Sequence, residues 1–495
     1  MFIGAVENAP LTSDPLEAKA KVDLARLAGF DTLRVSMFWK RGNGSVIPAP
    51  DLARLQNAAQ AAQLDGMRLI VSVSNYNSRD TPLTYLSQLD FAVYCVAVAR
   101  AAPNVTDFII GNEPNLNMFW MPQFSKPVYG FKTKKVRVKG KLVSKRVKYV
   151  KKPGVDLAAP AYERLLATTY DFLKTENPNI NVIGGALSPR GGDNAVGLRP
   201  THSPTTFIRD LGKTYRASGR STPIMDAFAM HPYPEKSAMP PSIAHPNSTT
   251  IGFADYPKLV KTLKDAFNGT AQPGSTLPIV YDEFGVQTKI PRGKTRAYTN
   301  LNTKVAQDAV SEATQADYYR QALTLAYCQP NVVGLLVFHV SDEANGNAWQ
   351  SGLFYADDTP KASLKVVRAA ADAAAKGTLS TCSSAKGPTF LESVTLPQKG
   401  AFAPDNTSWG GDLTCKKWCT YVARLEEFPS GKPVYTMKAD GAPETFVPVV
   451  FPPEKLPIGK YRMVVRVWAY GKVGTTVVKY GTPFTVEQLP AATGG

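Results

Sequence analysis

Cysteine and histidine are scarce in this chain, and the scarcity removes several chemistries at once. The five cysteines (Cys95, Cys328, Cys382, Cys415 and Cys419) are too few for a disulfide scaffold and too loosely spaced for a four-thiolate zinc site. Cys415 and Cys419, with Cys382 upstream, offer one bridge near the C-terminus, with burial as small hydrophobes the equal alternative, and an odd count leaves at least one thiol free. The four histidines (His202, His231, His245 and His339) form no His-Glu-x-x-His pattern, and the chain has neither a Gly-x-Ser-x-Gly elbow nor a phosphate loop. No metal or cofactor is implied.

Long apolar runs are missing too. No uninterrupted stretch approaches the ~20 residues that span a bilayer, and 44% hydrophobic content is ordinary for a soluble protein, so membrane insertion has little support. The opening Met1-Phe2-Ile3-Gly4-Ala5-Val6 lacks the basic start and cleavage site of a secretory signal. The expectation is a secreted or extracytoplasmic protein whose signal is absent from this chain, with the cytoplasm as the alternative. At 495 residues the chain exceeds what one core organises, so two unequal domains are expected, in a monomer.

Acidic residues are absent from one segment where basic ones crowd. Twelve lysines and arginines lie between Lys126 and Lys152 with no Asp or Glu, so removing the segment lowers the net charge from 17 to 17 minus 12, or +5. Basicity therefore belongs to an insertion at about 126–153. Its alternating apolar and basic residues predict a hairpin with one positive face, suited to an acidic polysaccharide or an anionic envelope, or else a solvated loop. Tyr129, Phe131 and Tyr149 offer little stacking, and no nucleic-acid partner is expected.

Up to about residue 376, eight β-branched runs alternate with helical-period segments: Phe2 to Val6, Thr32 to Phe38, Arg68 to Ser74, Val105 to Gly111, Asn181 to Leu187, Asp226 to His231, Leu277 to Glu283 and Val332 to Val340. Several of the intervening helices open on Asp, Ser, Thr or Pro. Eight β-then-α units predict an α/β fold, a (β/α)₈ TIM barrel over 1–376, since parallel strands require crossover helices. An open doubly wound sheet is the runner-up, but Glu7-Asn8-Ala9-Pro10 lacks the glycines that cradle a dinucleotide. Residues 377–389 read as a linker, and 390–495, with alternating runs such as Cys419 to Leu425 and Tyr461 to Tyr470, as a small all-β sandwich. Leu456-Pro457-Ile458-Gly459-Lys460-Tyr461 before Val464-Val465-Arg466-Val467 resembles the late hairpin of immunoglobulin-like modules. Trp409, Trp418 and Trp468 make no obvious aromatic row there, which favours support of the barrel over sugar binding.

Two motifs end apolar strands with a glutamate, Gly111-Asn112-Glu113-Pro114-Asn115 and Tyr281-Asp282-Glu283-Phe284-Gly285. Strand ends converge on one face of such a barrel, and glycoside hydrolysis needs two carboxyls, one to protonate the leaving oxygen and one to attack. With these strand positions the chain resembles clan A of the retaining glycoside hydrolases, over about residues 1–376. The resemblance implies Glu113 in Asn-Glu-Pro as acid/base, holding its proton through proximity and partial burial, and Glu283 as nucleophile. It also implies Arg34 beside the nucleophile, Asn112 on the sugar 2-hydroxyl and His231-Pro232-Tyr233 as the clan's His-x-Tyr, its tyrosine bonding the nucleophile. Clan members often floor the sugar with a tryptophan ending strand eight. Here that strand reads Phe338-His339, so Phe338, His339 or a folded-back Trp349 takes the place.

Asn75, Tyr76 and Asn77 follow the third strand and suit sugar hydroxyls, with ordinary loop polarity as the equal reading. Trp39 and Trp120 suit either ring stacking or loop packing, and Glu7 and Asn8 either sugar contact or capping. The expected function is a retaining β-glycosidase on an oligo- or polysaccharide, neutral or acidic. The alternatives are a non-catalytic carbohydrate-binding barrel and a transglycosylase using the same residues.

Overall fold

In this computed structural model, residues 1–138, 141–301, 308–380, 382, 391–396, 400–404, 409–415, 419–441, 446–450, 456–469 and 477–488 are described. The chain divides into two compact units, Met1–His245 with Thr249–Thr381, and Pro246–Ser248 with Cys382–Gly495.

The larger unit is a closed barrel of parallel strands: β1 (Phe2–Val6), β2 (Thr32–Trp39), β3 (Arg68–Asn75), β4 (Asp107–Ile110), then, past a hairpin of β5 (Val128–Val138) and β6 (Lys141–Lys152), β7 (Asn181–Leu187), β8 (Ala227–Met230), β9 (Ile279–Phe284) and β10 (Val332–Phe338). β10 pairs back on β1 and closes the ring. Helices α1 (Pro15–Leu27), α2 (Ala49–Leu64), α3 (Tyr85–Ala101), α4 (Ala158–Glu176), α5 (Pro204–Ser218), α6 (Tyr256–Phe267), α7 (Glu312–Tyr327) and α8 (Ser363–Ala375) return the chain between strands. This is a TIM barrel. Among these described helices none is long and apolar enough to cross a membrane.

Local chemistry starts the helices. Asp14, Thr84, Ser203 and Ser311 each accept a backbone N–H from the first turn of α1, α3, α5 and α7, a bond worth about 1 kcal/mol per cap. α7 starts at Glu312, where Ser311 supplies the cap, and residues 302–307 lie outside the described set. β4 is shorter than the expected Val105 to Gly111 because Gly111 turns to φ +86°, out of the strand region.

Period-two alternation sorts the strands into two layers of core. Outward residues join the helices in the main cluster, while Val6, Ile70, Ile109, Ile183, Ala227, Ala229, Val280 and Leu336 fill the barrel interior. The same inward parity carried two residues further along the strands gives Ser72, His231 and Asp282, and Arg34 follows it on β2. All four are buried. A polar layer therefore sits on an apolar one, at the C-terminal end of the barrel.

The hairpin departs from the expectation of one positive face. Opposed residues share a face, and the register pairs Phe131 with Lys148 and Thr133 with Arg146 on one face, Lys132 with Val147 and Lys134 with Lys145 on the other. Cations line both faces because Lys134 and Lys135 are adjacent and strand neighbours point oppositely.

In the smaller unit, β11 (Leu391–Thr395), β13 (Gly410–Cys415) and β16 (Phe446–Val450) form one sheet. β12 (Ala401–Phe402), β14 (Cys419–Glu427), β15 (Pro433–Gly441), β17 (Gly459–Ala469), β18 (Val477–Tyr480) and β19 (Phe484–Val486) form a second. Leu413 and Cys415 of the first share a core with Tyr421, Leu425, Val465 and Phe484 of the second. Cys415 and Cys419 are bridged, while Cys95 of the larger unit is a buried free thiol. Trp409 is buried against Phe402 and Phe484, as packing rather than as a sugar platform; Trp418 lies outside the described residues.

Candidate active site

Glu113 stands three residues beyond β4 with φ +40°, a conformation that non-glycine residues adopt at a cost of order 1–3 kcal/mol. The surroundings hold it there. Its N–H donates to Ala186 O at 2.8 Å, and Leu116 N–H donates to Glu113 O at 2.9 Å. Behind the turn, Tyr162 of α4 donates its hydroxyl to Ile110 O (2.7 Å) and accepts Gly185 N–H (2.8 Å), bracing the ends of β4 and β7 together. A Cβ at Gly111 would stand 3.0 Å from the Tyr162 ring, so this close approach needs glycine.

Glu283 sits near the end of β9, where one side chain from β2 and two from the segment after β8 converge. Arg34 Nη1 lies 2.8 Å from Glu283 Oε1, Tyr233 donates to Oε2 at 3.3 Å, and His231 Nδ1 stands 3.4 Å from Oε2. The same His231 nitrogen is 3.0 Å from Glu113 Oε1, so one imidazole nitrogen touches both glutamates. Their facing oxygens are thus no farther apart than the sum of those two His231 distances.

Asp282 organises the layer beneath. It is fully buried, with Oδ2 at 3.1 Å from Arg34 Nη1 and 3.3 Å from His231 Nε2. Arg34 Nη2 donates to Ser72 at 3.1 Å and reaches Asn112 Oδ1 at 3.4 Å. Burial opposes the charge on His231, but Glu283, Asp282 and Glu113 outweigh it and push its pKa up to about 10. Burial likewise opposes ionisation of Asp282, and His231 and Arg34 hold it below the usual carboxylate value all the same. For Tyr233, burial and then the nearby carboxylates Glu283 and Glu113 raise the phenol well above its ordinary value, so it stays a donor. At neutral pH the layer holds two fixed cations, Arg34 and His231, among acidic groups.

Above it opens a cavity of about 610 Å³ lined by Glu113, Glu283, Arg34, Asn112, Asn75, Tyr233, Trp349, His339 and Phe338, with Asn8, Arg190, Glu235, Lys236 and Asp308 among further polar walls. Trp349 returns from the loop after β10 and packs on Tyr233 and Phe338 at 5.4 and 5.3 Å between ring centres. Its loop is pinned by Trp349 N–H donating to Glu343 (2.8 Å) and by buried Lys361, which bonds Asp342 and Gln350 O. His339 lies tilted against Phe338 at 4.0 Å between ring centres. Asn75 uses its amide on Asn77 O and Phe119 O, shaping the wall.

Two expectations are corrected. Trp120 does not line the cavity: it is 1% exposed and lies edge-on to Tyr162, because the turn after Glu113 carries it back onto α4. Trp39 is also sealed, donating to Gly44 O. Glu7 faces neither sugar nor solvent; its carboxylate accepts Val340 N–H and Ala9 N–H and ties β1 to the segment after β10. Sequence reasoning overlooked Asp282 and Ser72 as site members, although strand parity with Val280 and Ile70 marks both as inward-facing.

No protein-family model matches the chain, and no curated protein matches it. Among its solved neighbours are glycoside hydrolases. A family 39 glycoside hydrolase from the gut symbiont Bacteroides cellulosilyticus WH2 is 15% identical, with 91% of this chain and 80% of that one covered and a TM-score of 0.47. GH5_18 from Streptomyces cattleya in complex with GlcNAc is 16% identical (76% and 81% covered, TM-score 0.48). The exo-beta-1,4-mannosidase Op5Man5 from Opitutaceae bacterium strain TAV5 is 15% identical (82% and 62% covered, TM-score 0.45). At such identities the chemistry must be read from the site's own residues.

Proposed function

We propose that this chain is a retaining β-glycosidase. The observation that carries the reading is that His231 Nδ1 touches both Glu113 and Glu283 while Arg34 and Tyr233, of the two glutamates, bond Glu283. Two carboxyls that meet on one imidazole nitrogen stand close together, which favours the shorter ~5–5.5 Å spacing of retaining enzymes and direct attack by one of them. Glu283, with a guanidinium on one oxygen and a phenol on the other, is the nucleophile, oriented and unable to swing away. Glu113 gives its proton to the glycosidic oxygen as the bond to the anomeric carbon breaks and Glu283 bonds that carbon. In the second step Glu113 takes a proton from water as the water displaces Glu283, and the original anomeric configuration returns. Asn112 is placed to bond the 2-hydroxyl as charge develops on the ring, and Trp349 with Phe338 supplies the apolar floor.

A panel of aryl β-glycosides and their 2-fluoro analogues tests this. A 2-fluoroglycoside is expected to label Glu283, seen by peptide mass spectrometry, and Glu283→Gln is expected to lose turnover at least about a thousand-fold with its fold intact. Wild-type turnover in Glu283→Gln, or release of the inverted anomer by NMR, would overturn the reading.

A further inference from the structure

The β5–β6 hairpin has no role in the chemistry above, and its composition works against its own folding. A two-stranded hairpin is marginal alone, and directly opposed like charges destabilise it further. Yet Lys134 faces Lys145 across the ladder, and no Asp or Glu lies between Lys126 and Lys152. Val128, Tyr129, Phe131, Leu142 and Val143 are exposed, so neither face covers a core. Among the described residues no carboxylate forms an ion pair with the hairpin's cations.

The charges are nevertheless arranged. Lys148 Nζ lies 3.6 Å from the ring centre of Tyr129, Arg146 is 4.4 Å from Phe131 and Lys132 is 5.3 Å from Tyr149, so each aromatic steadies one cation. The base is rigid. Ser125 N–H donates to Val155 O, Phe124 stacks on buried His202 at 4.0 Å, and His202 N–H donates to Asn115 O, two residues past Glu113. The arm therefore grows from the loop that carries the candidate acid/base.

We propose that the β5–β6 hairpin is a docking arm for an anionic polysaccharide, holding the polymer whose chain enters the Glu113–Glu283 cleft. The link to the cleft rests on the glycosidase reading. Cations on both faces match a flexible chain that wraps, whereas a membrane surface would meet one face. Each of the three aromatics carries a cation over one ring face, which reduces the surface open to unstacked bases.

Binding is measured in the full chain carrying Glu283→Gln, with and without Lys132→Ser, Lys134→Ser, Lys145→Ser and Arg146→Ser together. The probes are polygalacturonate, dextran sulfate, neutral dextran, phosphatidylglycerol vesicles and a DNA duplex. The expected result is binding of polygalacturonate or dextran sulfate, the stronger of the two naming the carboxylate or sulfate class, with no binding of neutral dextran. Affinity should fall about ten-fold or more between ~50 and ~200 mM salt, and ten-fold or more in the four-site variant. Equal affinity in that variant, no binding of either anionic polysaccharide, or tighter binding of vesicles or duplex at equal salt would overturn the proposal. Because binding is read without turnover, the two readings fail separately: loss of the arm's role appears as absent binding, loss of the glycosidase role as absent aryl-glycoside turnover by the Glu283-intact chain.

Discussion

His231 is the residue on which both candidate carboxylates depend, and its charge carries a pH signature. Its pKa is raised from 6.5 to about 10 in the fold, where Glu283 and Asp282 outweigh its burial. A group whose folded pKa exceeds its unfolded one stabilises fully below the unfolded value and loses that stabilisation as pH climbs through the folded value. Stability is therefore expected to decline between pH 6.5 and about 10 in excess of the decline shown by His231→Gln. Thermal melts across that range check it, and parallel slopes for the two proteins would refute it. The residue scale also shows what was readable in advance. Glu113, Glu283, Arg34 and Tyr233 were legible because each lies on or shortly after a strand in a motif of known order. The role of Asp282 was not, since a carboxylate next to a nucleophile reads as a second candidate until its burial and its two cation partners are seen.

Elements position these residues through a few buried bonds. Tyr162 belongs to α4 yet bonds the backbone of β4 and β7, the strands flanking the Glu113 turn. Tyr162→Phe strands a buried carbonyl and a buried N–H, and is expected to lower stability by about 1–3 kcal/mol. The same change should lower kcat more than it shifts KM, because the Glu113 backbone at positive φ loses its support. Urea unfolding and steady-state kinetics check the two halves; unchanged kcat at reduced stability would confine Tyr162 to a structural role. Helix starts and strand parity were legible at this scale, being local: a capping hydroxyl and a two-residue period need no partner. Loop paths were not. Trp349 reaches the cavity and Trp120 turns away from it, and both outcomes depend on contacts with distant residues, Lys361 holding the first loop and α4 receiving the second side chain.

For the whole molecule, charge and fold are separable. The segment Lys126–Lys152 carries twelve of the chain's positive charges and none of its barrel core. Replacing it with a short Gly-Ser turn is expected to leave the melting temperature within about 2 °C, since surface elements that bury little contribute within ±0.5 kcal/mol. A melting shift of 10 °C or more would show that the hairpin supports the barrel. By itself the sequence determined the eight βα units, the inward parity of their strands and the two glutamate-bearing strand ends, because periodicity and strand order are written in near neighbours. The tertiary structure alone decided that one histidine nitrogen spans both glutamates, that Asp282 underpins Arg34 and His231, and that the hairpin is charged on both faces. Those facts are distances between residues far apart in the chain, and they arise only when the barrel closes and sets the register of every strand against its neighbour.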